Sequence, residues 1–155
     1  MDSSARPSES SHHHEVNSSL TRSEIMRRVR SQNTTPERAV RASLRRLGIR
    51  PSRRKLPGAP DFVLPVHHAV IFVHGCFWHR HGCTRGCRTP STNRPYWIEK
   101  FRKNVIRDRR VARRLRHMGW RVLTIWECRT KDPTRLDQAI RAKVFAPRRM
   151  GRIGE

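Results

Sequence analysis

The sequence predicts an α/β domain in which a small mixed β-sheet lies between helices. Segments of helical spacing and short apolar, β-branched runs follow in the order helix, helix, strand, strand, long loop, helix, strand, helix. A length of 155 residues suits one domain with a modest core, and the 35% hydrophobic content leaves room for polar ends. No internal repeat or second domain is visible.

Residues 1–18, rich in Ser and poor in anything apolar, are expected to form a disordered polar tail, with the His12–His14 run incidental. The folded domain is expected over residues 19–146, followed by a basic tail at 147–155. "LTRSEIMRRVRSQ" carries Leu20, Ile25, Met26 and Val29 at roughly helical spacing, with Thr21 or Ser23 able to cap a short basic helix. In "TTPERAVRASLRRLG", Thr35 is placed as the cap and Pro36 at the first helical position. Val40, Leu44 and Leu47 line one face, and Gly48 stops the helix. "LPGAPDFVLP" turns at Pro57-Gly58 and enters a strand over 61–64, which the buried strand "HAVIFVHG" should join as a hairpin. From Gly75 to Pro95 no period is sustained, so the segment predicts a long loop in need of a tether. "YWIEKFRKNVIRDRRVARRLRHMG" sets Trp97, Phe101, Val105, Ala112 and Leu115 on a helical stripe that closes at Gly119. "WRVLTIWEC" reads as a third strand, and a last helix runs from Pro133 to about Phe145.

Thirty-five Lys and Arg against twelve Asp and Glu give a net charge of +23, most of it in arginine runs such as "RDRRVARRLR". Such a field attracts a polyanion. Without an apolar signal segment or a run long enough to span a bilayer, the expectation is a soluble protein whose partner is nucleic acid. The plainer alternative is a genome bias that writes Arg wherever a solvated Lys would serve. Cys76, Cys83, Cys87 and Cys128 do not resemble a secreted disulfide framework, because the first three crowd into one histidine-rich loop, and metal binding is the better reading.

Between Glu37 and Glu99 the only carboxylate is Asp61, after a Pro-Gly turn and among Arg, Lys and His, which should favour its anion. A carboxylate that holds Mg²⁺ meets two needs of a nuclease: neutralising a phosphodiester and generating a nucleophilic water. Taken alone, Asp61 reads first as a strand-edge residue that simply hydrogen-bonds its turn. In "VHGCFWHRHGC", Cys76, His79, His81 and Cys83 offer zinc ligands, with Cys87 or Cys128 to complete the set. A local site would use Cys76, His79, Cys83 and Cys87. A tethering site would recruit Cys128 and leave the His79 imidazole beside Asp61 for proton transfer. Phe77 and Trp78 either cap the loop against the sheet or act as a stiff wedge between bases.

Taken together, "LPGAPDFVLP", "VIFVHGCFWHRHGC", "YWIEKFRKNVIRDRR" and "GWRVLTIWEC" resemble the successive signature blocks of the very short patch repair (Vsr-type) DNA mismatch endonucleases, over about Thr21 to Cys128. The resemblance implies a restriction-endonuclease-like fold with a structural zinc site. It implies an enzyme that nicks one DNA strand 5′ to the thymine of a T·G mismatch left by deamination of 5-methylcytosine. By position, Asp61 and the backbone carbonyl of Val73 correspond to the Mg²⁺ contacts, His79 to the proton-handling histidine, His74 to a neighbour of the scissile phosphate, and Glu37 to a support of the metal's water shell. Structural zinc falls to Cys76, His81, Cys83 and Cys128. Phe77, Trp78 and Trp97 correspond to an aromatic wedge entering from the major groove, Met26 to a side chain pushing from the opposite side, and Lys100 and Asn104 to contacts with the mispaired bases. The resemblance further implies a monomer in the bacterial cytoplasm, on the nucleoid, linked to a cytosine-5 DNA methyltransferase and to mismatch-repair proteins.

Two departures stand out. The broader nuclease superfamily places an acid and a lysine on the strand after the metal aspartate, where this chain has "VIFVHG" and histidines must substitute. Cys87 in "GCTRGC" is an additional thiol able to compete for zinc. A non-catalytic zinc-containing DNA-binding protein would share the charge, zinc and aromatics but would not need Asp61 or His79. A nuclease of the same fold with another target is the third reading.

Overall fold

The computed structural model describes residues 33–147. The polar tail with His12–His14, the basic helix carrying Met26, and residues 148–155 lie outside the described residues.

Helix α1 spans Thr35–Arg46. Its cap is Thr34 rather than Thr35: Thr34 Oγ1 accepts the Glu37 N–H at 3.4 Å, and Glu37 Oε2 accepts the Asn33 N–H at 2.7 Å. The reason is the Thr-x-x-Glu spacing, which lets Thr34 and Glu37 bond each other much as in a capping box, with Glu37 reaching the N–H of Asn33 rather than that of Thr34. Val40 and Leu44 are fully buried, and Gly48 ends the helix at a positive φ of 70°.

Strand β1 (Phe62–Leu64) pairs antiparallel with β2 (Ala69–His74), with Phe62 opposite Ile71, as the hairpin expectation required. Asp61 stands just before β1 rather than in it. Gly58 in the preceding turn has a φ of 76°, and a Cβ there would come within 2.2 Å of Val111 Cγ1, so only glycine lets the turn sit against the helix that carries Val111.

The segment after β2 is not wholly irregular. Cys83 leads into a helical turn, α2 (Thr84–Cys87), whose Gly86 lies so close to the His81 backbone that a Cβ would meet its carbonyl oxygen at 1.9 Å. A four-residue turn carries no period to detect, which is why the sequence showed only loop. Helix α3 runs over Arg94–His117 and buries Trp97, Phe101 and Leu115. Strand β3 (Arg121–Trp126) pairs parallel with β2, and helix α4 (Pro133–Val144) follows, capped by Asp132.

The sheet order is β1-β2-β3, mixed as expected. Alternation along the strands sorts their residues to two faces. Phe62, Leu64, Ala69, Ile71, Leu123 and Ile125 join α1 and α4 in one apolar cluster. Val63, Val70 and Val122 face α3, packing with Val111, Leu115 and Trp120. The same alternation that sends Val70 and Phe72 toward α3 sends His74 there, at the end of β2.

Candidate active site and metal cluster

Because β2 and β3 are parallel, the chain leaves both at the same edge of the sheet, with His74 opposite Trp126 in register. The loop after β2 and the turn after β3 therefore meet. Cys128 N–H donates to Cys76 Sγ at 3.4 Å, and the Glu127 carboxylate accepts the Cys76 N–H at 3.2 Å while pairing with Arg85 at 2.7 Å.

At that junction Cys76, His81, Cys83 and Cys128 bring their ligand atoms within 4.8 Å of one another. Cys76 Sγ and Cys128 Sγ lie 3.8 and 3.5 Å from His81 Nδ1. Tetrahedral zinc, with bonds of about 2.3 Å to sulfur and about 2.0 Å to nitrogen, sets such ligands about 3.5 Å apart, so the donor types and their spacing fit that ion. Burial pushes the Cys76 thiol up to about 12, whereas the His81 ring first, with the Gly86 N–H, brings Cys83 down to about 6. Of the two arrangements open in the sequence, this is the one that recruits Cys128. Cys87 is exposed, and its thiol reaches only the His81 carbonyl at 3.9 Å.

His79 is thereby left out of the cluster and turns toward α3. Its Nδ1 lies 2.5 Å from Asp108 Oδ2, and its ring stacks on His74 at 3.9 Å between centroids and 11° between planes. Asp108 is a site residue that sequence reasoning missed. The signal was present: Trp97, Phe101, Asn104 and Asp108 follow one another at four, three and four residues, so the acid faces the loop although it sits in an arginine run. Burial opposes ionisation of Asp108, but hydrogen bonding and charge from His79, then His74 and Arg107, hold its carboxyl below the usual carboxylate range. Burial, then the charges of His79 and Arg107, bring His74 down to about 4, so its ring is neutral at pH 7.

Asp61 keeps one side open to solvent, and its Oδ2 accepts the Val73 N–H at 2.7 Å. In an extended strand the N–H and C=O of one residue point the same way, so the Val73 carbonyl faces the Asp61 side beyond the end of β1. A carboxylate and a carbonyl meeting beside solvent are hard oxygen donors of the kind Mg²⁺ takes. The expectation that basic neighbours favour the Asp61 anion is corrected. Burial raises its pKa, the Glu37 charge adds to that, and the Val73 N–H and His79 act against it. Beyond burial, the largest effects come from groups the fold brings near, Val73, Glu37 and His79, rather than from the Arg and Lys close in sequence. Glu37, at the start of α1, instead spends its oxygens on Thr34 and Asn33.

The aromatic residues form one cluster against α3, not against the sheet. Phe77 lies 5.0, 5.6 and 5.1 Å from Trp78, Trp97 and Phe101 between ring centroids. Trp97, 7% exposed, and the buried Phe101 back Phe77 and Trp78, which keep accessible area. Asn104 donates its amide to the Trp78 carbonyl at 3.1 Å, and Lys100 Nζ sits 5.5 Å above the Trp78 ring.

Residues 14–85 match the sequence profile of the family described as DNA mismatch endonuclease Vsr. The DNA mismatch endonuclease Vsr of Escherichia coli is 42% identical over 129 residues, covering 81% of this chain and 82% of that protein. The chain belongs to the Vsr family of DNA mismatch endonucleases. Two further relatives are named as type II nicking enzymes: V.XorIIP of Xanthomonas oryzae, 44% identical over 119 residues with 76% of this chain and 87% of the relative covered, and V.NmeAIP of Neisseria meningitidis, 38% identical over 113 residues with 72% and 80% covered. For a Vsr-family chain, the oxygen-lined edge, the His79–Asp108 pair and the Cys/His cluster all lie at the sheet edge where β2 and β3 end. No helix among the described residues is long and apolar enough to cross a membrane.

Proposed function

We propose that this chain is a Mg²⁺-dependent, zinc-stabilised endonuclease with a restriction-endonuclease-like fold. It nicks one strand of double-stranded DNA 5′ to the thymine of a T·G mismatch and so initiates very short patch repair. The observation that carries this reading is the division of labour between two histidines: His81 joins the cysteines, and His79 stands outside them, grouped with His74 and with Asp108 on its Nδ1. A protein that only bound DNA would have no use for that pair.

Asp61 and the Val73 carbonyl would hold the divalent cation, which supplies charge neutralisation at the phosphodiester and lowers the pKa of a water. Asp108 fixes the ring of His79 and directs Nε2 outward, where it takes a proton from the attacking water or gives one to the leaving oxygen. Neutral His74, stacked on His79, offers a hydrogen bond to the scissile phosphate without competing for the proton. Glu37, at the start of α1, would support the water shell through the lone pairs that its contacts with Thr34 and Asn33 leave open. Phe77 and Trp78 present the ring surface that tests the stack, with Trp97 behind them.

The major-groove edges of T and G also explain how a mismatch is told from a pair. Thymine offers O4 and guanine O6 and N7, all acceptors, whereas each Watson–Crick pair adds a donor from adenine N6 or cytosine N4. Lys100, a donor-only group, and the Asn104 amide suit the acceptor-only edge. The domain 19–146 would act as a monomer, in the cytoplasm on the chromosome, beside a cytosine-5 methyltransferase and mismatch-repair proteins.

The test is incubation of the purified chain with T·G, matched and other mismatched duplexes, with and without Mg²⁺, mapping any nick to the nucleotide. A single Mg²⁺-dependent nick 5′ to the mispaired thymine is expected. Binding without nicking would favour the non-catalytic zinc protein, and equal nicking of all duplexes a nuclease with another target.

A further inference from the structure

Tyr96 lies in the first turn of α3, one helical turn before Lys100, and is 49% exposed beside the aromatic cluster. Its ring meets Trp97 edge-on at 5.5 Å and 76°, and its phenol oxygen is 3.2 Å from Lys100 Nζ. The ammonium therefore sits over the rings of Tyr96, Trp78 and Trp97 at 5.4, 5.5 and 5.7 Å. No carboxylate among the described residues claims it. The nearest in sequence, Glu99, is engaged by Arg102 at 2.7 Å and Lys103 at 3.5 Å.

We propose that Tyr96 is a positioning residue for base-pair discrimination: its phenol oxygen holds the Lys100 ammonium over the rings so that the remaining N–H bonds face the edge of the base pair. The proposal rests on the mismatch-nicking reading above. A lysine on a free four-carbon stem is a poor reporter of position, because its ammonium can swing to the nearest phosphate, which every DNA sequence offers. One hydrogen bond to a group fixed on the same helix narrows that swing. Of the three ammonium donors, one is taken by the phenol oxygen and two remain, directed by the ring cluster on which the ammonium rests. Phenylalanine at position 96 would keep the ring contact but lose the oxygen. That separates the hydrogen bond from packing at a residue half open to solvent.

The experiment compares kcat/KM for a T·G duplex and an otherwise identical T·A duplex, using the full chain with Mg²⁺ and zinc bound, in the wild type, Tyr96→Phe, Lys100→Met and the double variant. Tyr96→Phe is expected to lower the T·G over T·A preference about fivefold, as for loss of one ordinary hydrogen bond at a solvent-exposed site, and the double variant should discriminate no worse than Lys100→Met alone. That non-additivity is the signature a purely structural role would not give, since structural damage multiplies with the lysine loss. Wild-type preference in Tyr96→Phe, or losses that multiply in the double variant, would overturn the inference and leave the mismatch reading standing. Equal cleavage of both duplexes by the wild type would overturn the mismatch reading and this inference with it.

Discussion

His79 is gripped on one side by the Asp108 carboxylate and covered on another by the ring of His74, 3.9 Å away. An imidazole so held has one free nitrogen, and the Asp108 carboxylate stabilises the imidazolium that forms when that nitrogen takes a proton. Asp108→Asn keeps the shape but removes the charge and allows the wrong tautomer, so kcat should fall by about 100-fold or more while KM changes little. Steady-state kinetics on the mismatched duplex checks this. Asp61 was legible from the sequence because no other carboxylate lies near it in the chain. Asp108 was not, because an acid among arginines reads as a solvated helix charge until the loop packs onto that face. The acid-base environment of Asp61 was misread for a related reason: Glu37 comes near it only through the fold.

At the scale of elements, the loop after β2 depends on one residue from the far end of β3. Cys128→Ser should leave zinc substoichiometric and lower the melting temperature by roughly 10 °C, whereas Cys87→Ser should retain full zinc content. Metal analysis with thermal melts distinguishes the two, and equal losses would contradict the cluster assigned here. Helices α1 and α4 are pinned by Asp137, which accepts from Ser43 Oγ at 2.5 Å and from Arg46 at 2.8 Å. Hydrogen bonding from Arg46, against slight desolvation and with help from Ser43, holds the Asp137 carboxyl below its ordinary value. A depressed carboxylate stabilises the fold above its unfolded pKa and loses that contribution as pH falls through the folded value. Asp137→Asn should therefore lower the melting temperature by a few degrees at pH 7, and the difference should shrink as the pH drops below the ordinary carboxylate range. Melting curves across pH measure it. The long amphipathic helices and β-branched strands were visible in the sequence because each carries several apolar positions in register. The turn at Thr84–Cys87 and the exact cap of α1 were not, being set by a close backbone approach and by side-chain reciprocity.

Across the whole molecule, the net charge of +23 is concentrated in part along α3, where Arg109, Arg110, Arg113 and Arg114 make no ion pair among the described residues. Such a face contacts phosphates without reading sequence. Arg110→Ala should weaken binding of matched and mismatched duplexes alike and, if it loses one phosphate contact, reduce the slope of log K against log salt by about one. Fluorescence anisotropy over a salt series reads both. The division between a zinc-type junction and an oxygen-lined edge follows from one topological fact: β2 and β3 run parallel and end together, so a single loop supplies ligands to one and a histidine to the other.

The most direct measurement is single-turnover nicking of a T·G duplex as a function of Mg²⁺ by the wild type and by Asp61→Ala, with zinc content determined for both. The wild-type rate should rise with Mg²⁺ and saturate, while Asp61→Ala, still folded, zinc-loaded and able to bind the duplex, should show no Mg²⁺-dependent nick. Cleavage by Asp61→Ala at the wild-type rate would contradict the account at its centre.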